Sequence, residues 1–294
     1  MTHSSDTQSG PLKGVTVLDI GLLVQGPQAA AAMQDMGADV IKVELPGMGD
    51  HARWIFCATD DPRSAYFTAV NRGKRGMTID LRKPEGVEVF LRLVDRADVL
   101  ISNFKPGTLE EWGLGFDVLS ARNPRLIWGS GSAFGTAGPD ALREGADLAG
   151  QSAGGLISTV GEDGQPPSPV GVTIADHIAS QNLTAGVLAA LFAREQTGRG
   201  QKVEVSLLGG LGSGSRVHPL PDDGRSPWQS QLRSSPAARH LQDCAHSRRL
   251  AGHYWCTTSR ERRLFPGLGQ ARLGHRSTLR WINRQPGRPE LFVW

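Results

Sequence analysis

Two hydrophobic periods alternate along the first 210 residues. Short runs rich in Val, Ile and Leu predict strands over 14–20 (GVTVLDI), 39–44 (DVIKVE), 77–81 (MTIDL), 98–102 (DVLIS), 125–129 (RLIWG) and 202–207. Between them, apolar residues recur at helical spacing. Helices are predicted over 28–37, with Pro27 near the start, over 84–97, with Val87, Phe90, Leu91 and Val94 on one stripe, and over 174–195. Each strand–helix unit is too short to hold a core of its own. The pattern therefore predicts an α/β fold: one doubly wound, Rossmann-like, mostly parallel sheet, followed by an irregular C-terminal tail.

Such a sheet binds ligands at the carboxyl ends of its strands, so the loops after Ile20, Glu44, Leu81 and Ser102 carry the candidate chemistry. The first loop, GLLVQGPQAA, has Gly21 and Gly26 but no G-x-G-x-x-G. Glu44 stands where a ribose-binding acid would in a dinucleotide fold, yet without the glycine fingerprint it predicts no such site. The glycine-rich stretch 129–138 (GSGSAFGTAG) lacks the G-K-[ST] of a P-loop. No H-E-x-x-H, C-x-x-C or G-x-S-x-G occurs, so metalloprotease, thiol-redox and serine-hydrolase chemistry have no anchor. Cys57, Cys244 and Cys256 are odd in number and far apart, which argues against a disulfide framework or structural zinc; no metal is expected.

The 294 residues are 39% hydrophobic, enough for a globular core. The longest apolar runs, such as VLAALFA at 187–193, are too short to cross a bilayer, so no membrane partner is expected. Residues 1–10 are small and polar without an apolar h-region and read as a disordered tail, giving a cytoplasmic expectation. The net charge of +3 hides two compositions. Residues 1–210 hold 18 Lys and Arg against 24 Asp and Glu; residues 211–294 hold 14 Arg, no Lys and 5 Asp and Glu. Arginine enrichment without lysine is not what nucleic-acid binding requires, so no nucleic-acid partner is expected.

Taken in order, PLKGVTVLDI, QGP with MGADVIKVE, SAYFTAVNRGKRGMTIDLRKPEG, DVLISNFKPGTLEEWGLGFDVLSARNPRLI, GQSAGGLISTVG and VLAALFAREQTGRGQKVEVSLL resemble the family III CoA-transferases over residues 11–208. That family includes formyl-CoA and crotonobetainyl-CoA:carnitine CoA-transferases and acyl-CoA racemase relatives. The resemblance implies a carboxylate nucleophile at Asp176 in GVTIADHIAS, with Gln25 donating its amide to the developing oxyanion. From the residues alone, Asp176 reads first as a helix-capping acid, and Gln25 is equally a polar residue of a turn that Gly26-Pro27 demands. His177, one residue on, falls on another helical azimuth and is expected to be solvated. For CoA, the resemblance implies Gly26, Ile79, Asp80, Leu81, Arg82, Asn103, Phe104, Lys105, Arg143, Gly145, Ala146 and Asp147, with Arg82 and Lys105 meeting phosphates. It implies no permanently bound cofactor, an acyl-CoA thioester and a carboxylic acid as substrates, and a homodimer.

Some positions depart from the family's pattern. Leu45 and Glu111 stand where arginines are common, and Gly145-Ala146-Asp147 replaces the racemases' G-H-D, leaving a two-base proton abstraction without its histidine. This favours transfer over racemisation; an inactive CoA-binding remnant is the third alternative. After Leu208 the resemblance stops. Recoding each residue of 228–256 from the last two bases of its codon and the first of the next permits GNRNSAVRPPRGIYKTARTADGWLAIIGV, which resembles the family's entry into its small domain. The sequence thus divides into a tail (1–10), a CoA-transferase large domain (11–208) and a non-homologous, poorly ordered segment (209–294) that a frame change between about Leu208 and Arg216 would explain.

Overall fold

The computed structural model describes residues 9–55, 63–161, 166 and 168–215. Cys57, Cys244, Cys256 and the recoded stretch 228–256 lie outside the described residues. Six strands, β1 (Thr16–Asp19), β2 (Asp39–Glu44), β3 (Arg75–Thr78), β4 (Val99–Ser102), β5 (Ile127–Ser132) and β6 (Lys202–Ser206), form one sheet in the order β3-β2-β1-β4-β5-β6. Every neighbouring pair is parallel, with Val17 beside both Val40 and Val99. This is the doubly wound order expected from the sequence. The order reverses direction between β1 and β4, the place at which sheets of this kind ordinarily bind ligands.

The apolar runs sort by alternate residues onto two buried faces. Val17, Val99, Ile101 and Ile127 pack with α1 (Gln25–Asp35) and α7 (Ile174–Thr197) through Ala29, Ala30, Met33, Leu183 and Val187. Leu18, Leu100 and Trp128 turn the other way, onto Phe90 and Val94 of α3 (Pro84–Val94) and onto Leu109, Leu114 and Leu119 around α4 (Thr108–Glu111) and α5 (Phe116–Arg122). Each fully buried aliphatic side chain contributes roughly 1.5–3 kcal/mol, which explains why strands of four residues persist only between two helical layers.

A third cluster joins α6 (Asp147–Ala153), the start of α7 and α8 (Leu207–Ser215) through Ala149, Ala175, Ala179, Leu207 and Leu211. Gly150 permits the approach, since a Cβ there would sit 2.8 Å from Leu207 Cβ and 2.9 Å from Ala175 Cβ. Helix α8 runs across the point at which the sequence resemblance ended.

Several elements differ from expectation, the fifth strand lying at 127–132 and not 125–129 and the helix from Pro84 ending at 94 and not 97. The third strand lies at 75–78, not 77–81: Asp80 accepts from the backbone N–H of Arg82 and, through its carbonyl, from that of Lys83, turning the chain off the sheet. Helix α1 begins at Gln25, not 28, so Gln25 and Gly26 are helical. Pro27 is tolerated because the first N–H groups of a helix have no intrahelical acceptor to lose.

Candidate active site

Asp176 is the third residue of α7, half-buried. An acid in a first helical turn usually serves the helix, but here that service comes from elsewhere. Thr173, which precedes α7, makes no side-chain capping bond. Instead Oδ1 of Asp147, the first residue of α6, accepts from the backbone N–H of Ala175 at 2.7 Å and of Asp176 at 3.1 Å. Its Oδ2 accepts from Gln151 Nε2, four residues on, and Gln151 in turn bonds the backbone of Val170 and Val172. Asp147 is thus buried and engaged on both oxygens.

This leaves the Asp176 carboxyl without a capping task. Burial, and then the neighbouring Asp147 carboxylate, push it up to about 8. Burial also raises Asp147, against the hydrogen bonds that favour its charged form. Tyr66, on α2 (Ala65–Asn71), reaches the same corner: its hydroxyl lies 3.1 Å from Thr173 Oγ1, and burial pushes it up to about 12, with Asp176 and Asp147 adding to the rise. His177 is not simply solvated as expected. Its Nδ1 meets Oε1 of Gln28 on α1, because α7 packs lengthwise on α1. Tyr66, Thr173, Gln28 and Gln151 carried no sequence signal strong enough to single them out, although the four-residue spacing of Asp147 and Gln151 places both on one helix face.

Gln25 is buried, at the start of α1. Its Nε2 donates to the Ser132 carbonyl at 3.2 Å, and its own carbonyl accepts from Ser180 Oγ, one turn along α7 from Asp176, at 2.6 Å. The side chain crosses β5 at Gly131, where a Cβ would fall 2.4 Å from Gln25 Oε1. Asn103, after β4, spends its amide on the loop after β1: Oδ1 accepts from Leu22 N at 2.7 Å and Nδ2 donates to Leu22 O at 2.8 Å. The switch point of the sheet is therefore closed by a side-chain clamp, with Gly26 close against Asn103.

The family model for CoA-transferase family III matches residues 12–218. The chain belongs to this family. The succinyl-CoA–D-citramalate CoA-transferase of Chloroflexus aurantiacus is 39% identical over 208 residues, covering 71% of this chain and 52% of the relative. The acetyl-CoA:oxalate CoA-transferase of Acetobacter aceti is 37% identical over 212 residues, covering 71% and 54%. Among solved structures, a CAIB/BAIF family protein from Brucella suis superposes with a TM-score of 0.66 at 39% identity, covering 70% of this chain and 55% of that one. The chain spans about half the length of the curated relatives it matches.

In this family III chain, the residues that the resemblance assigned to CoA fall into distinct groups. Ile79 and Leu81 bury their side chains in the core beside Phe90, leaving only backbone to offer. Phe104 packs edge-on against Trp112. Asp80 and Arg82 form an exposed two-pronged pair, which holds the Asp80 carboxyl down at about 2. Lys105 comes to 3.7 Å from Glu144, so this loop and the 143–147 segment lie together, while Arg143 pairs with Asp140 and lies over the Phe134 ring. Gly145 fits tightly against Ala149 and Ala133, and Ala146 caps α6 with its backbone. The carboxylate of Asp147 is turned onto α7. Glu44 is likewise occupied, by Arg53 and the Asp50 N–H. Among the described residues there is no group of three or more His, Cys, Asp or Glu that could hold a metal, and no helix long and apolar enough to cross a membrane.

Proposed function

We propose that this chain carries the nucleophilic half of a CoA transfer, with Asp176 as nucleophile. The carboxylate attacks the thioester carbonyl of an acyl-CoA; the C–S bond breaks, giving an acyl-aspartyl anhydride and CoA thiolate. The thiolate then attacks the aspartyl carbonyl, releasing the donor acid and leaving an aspartyl-CoA thioester. An acceptor carboxylate reverses both steps and departs as the new acyl-CoA. One activated bond replaces another of similar energy, so neither ATP nor metal enters.

The observation that carries this reading is the division of labour between the two acids. Asp147 caps α7, so a capping role does not account for Asp176, whose carboxyl is desolvated and makes no ion pair among the described residues. A desolvated carboxylate is the stronger nucleophile once ionised. Gln25, buried one turn below, is the donor proposed for the oxyanion. Arg82, Lys105 and Arg143 are proposed for the CoA phosphates. The relatives' names include succinyl-CoA, acetyl-CoA, D-citramalate and oxalate, so a short acyl-CoA donor and a small carboxylic acid acceptor are proposed here. A cytoplasmic homodimer is proposed from the family resemblance. Ala146, in place of the racemases' histidine, speaks against alpha-proton exchange.

Incubation with acyl-CoA and hydroxylamine tests the reading. A hydroxamate at Asp176, absent from Asp176→Ala, is expected; no modification in the wild-type chain overturns it. The lysine-free composition and the recoded stretch support a frame change in the coding sequence near codons 205–220, and a single open frame there in independent isolates overturns that part.

A further inference from the structure

The turn between β1 and α1 is held by buried charges that the proposed chemistry does not use. Leu23 has a φ of 62°, the only left-handed non-glycine residue among those described. Such a backbone persists only where its surroundings impose it. Each neighbouring peptide is gripped. Asp19 Oδ1 accepts from Gly21 N at 2.9 Å, and Lys42 Nζ donates to Gly21 O. Asp50 Oδ1 accepts from Leu23 N at 2.9 Å, and Lys74 Nζ donates to Pro27 O at 2.7 Å.

The gripping groups are paired among themselves. Lys42 Nζ lies 2.8 Å from Asp50 and 3.5 Å from Asp19, and Lys74 Nζ lies 2.8 Å from Asp19. All four side chains are buried, and the two acids balance the two ammonium groups. Burial alone would raise Asp19, but Lys42 and Lys74 outweigh it and hold the carboxyl below its ordinary range. Asp50 is itself fixed from behind, its N–H donating to Glu44 Oε1 at 2.8 Å. A balanced buried cluster of this kind is weak evidence for stability and better evidence for fixing one conformation.

We propose that Asp50 is a positioning residue. Its carboxylate imposes the left-handed backbone of Leu23, and with Lys42, Asp19 and Lys74 it preorganises the turn that presents Gln25 to Asp176. The link to Asp176 is physical: the residues that follow the turn contact α7 through Gln25 O to Ser180 and Gln28 to His177. The catalytic consequence rests on the function proposed above; the conformational claim does not.

The test uses the full chain in four forms: wild type, Asp50→Ala, Leu23→Gly and the double variant. Amide hydrogen exchange at Leu23 reads the clamp, and the rate of hydroxamate formation at Asp176 against acyl-CoA concentration reads its consequence. In Asp50→Ala, exchange at Leu23 is expected to rise at least tenfold. The maximal trapping rate is expected to fall about tenfold, with little change in the half-saturating acyl-CoA concentration. Glycine adopts the left-handed region without help, so Leu23→Gly in the Asp50→Ala background is expected to restore most of the trapping rate. A merely structural Asp50 would not be rescued in this way.

Unchanged exchange at Leu23 in a folded Asp50→Ala chain, or a double variant no faster than Asp50→Ala, overturns the proposal. Should Asp50→Ala not fold, Asp50→Asn retains an acceptor for Leu23 N, and loss of its Leu23 protection overturns the proposal equally. Wild type that never labels at Asp176 sinks the transferase reading alone, because the exchange measurement still decides the clamp.

Discussion

Asp147 Oδ1 accepts a 3.1 Å hydrogen bond from the backbone N–H of Asp176, so one acid fixes the backbone of the other while its charge opposes ionisation of the other's side chain. Asp147→Asn keeps an acceptor and removes the charge. Its expected effect is a lower pKa for Asp176, though only in part, because burial is the larger cause. Asp147→Ala removes the acceptor as well and strands two backbone N–H groups. A loss of about 1–3 kcal/mol in urea unfolding is expected for Ala, and less for Asn.

The raised Asp176 pKa sets the direction of the pH–rate profile. A carboxylate nucleophile must be ionised, and burial, then the Asp147 charge, push the Asp176 carboxyl up to about 8. Hydroxamate trapping measured as kcat/KM is expected to rise tenfold per pH unit below that value and to level off above it. A profile flat from pH 5 to 9 would show that Asp176 is ionised throughout.

Stability follows the opposite slope. The folded chain holds the Asp176 proton to about pH 8, whereas the unfolded chain releases it near 3.8. The folded state binds more protons between those values, so the contribution is complete below about pH 4 and lost as pH rises towards 8. Asp176→Asn has no such titration. It is expected to match wild type in urea unfolding at pH 4 and to exceed it by on the order of 3 kcal/mol at pH 8.5, the remaining exposure of Asp176 being discounted for solvent.

Gly131→Ala places a methyl group where Gln25 Oε1 lies, at 2.4 Å. Neither partner can yield without breaking the Gln25 bond to Ser132, so a stability loss of roughly 1–3 kcal/mol is expected, together with slower trapping at saturating acyl-CoA. A Gly131→Ala chain with wild-type trapping would remove Gln25 from the chemistry.

Arg82 is exposed, and its pair with Asp80 contributes little to folding. Arg82→Ala is expected to leave the melting temperature unchanged and to raise the acyl-CoA concentration needed for half-maximal trapping several-fold. An unchanged requirement would separate Arg82 from the CoA phosphates.

Most of the sheet was legible in the sequence because its strands are written as local apolar runs, and DVIKVE was bounded to the residue, whereas β3, RGMT, has no such run and was set two residues late. Helix α1 was set three residues late because proline reads as a start signal, while the chain places it within the first turn. Asp176 was singled out only through family resemblance, since a lone acid near a helix start is ordinarily a cap. Asp147 was assigned to CoA by the resemblance, and no local pattern shows that its Oδ1 accepts from backbone N–H groups 28 and 29 residues away.

By itself the sequence determined the period of each element, the parallel α/β class and the residues with chemistry to offer, because these depend on side-chain type and near neighbours. Only the tertiary structure decided which acid caps and which is left free, that Gln25 lies under β5 at Gly131, and that Asp19, Lys42, Asp50 and Lys74 grip one turn. Those outcomes depend on burial and on charges brought together from distant segments. Burial changes the free energy of a carboxylate or an ammonium far more than any local pattern does, and burial is settled only once the layers have packed.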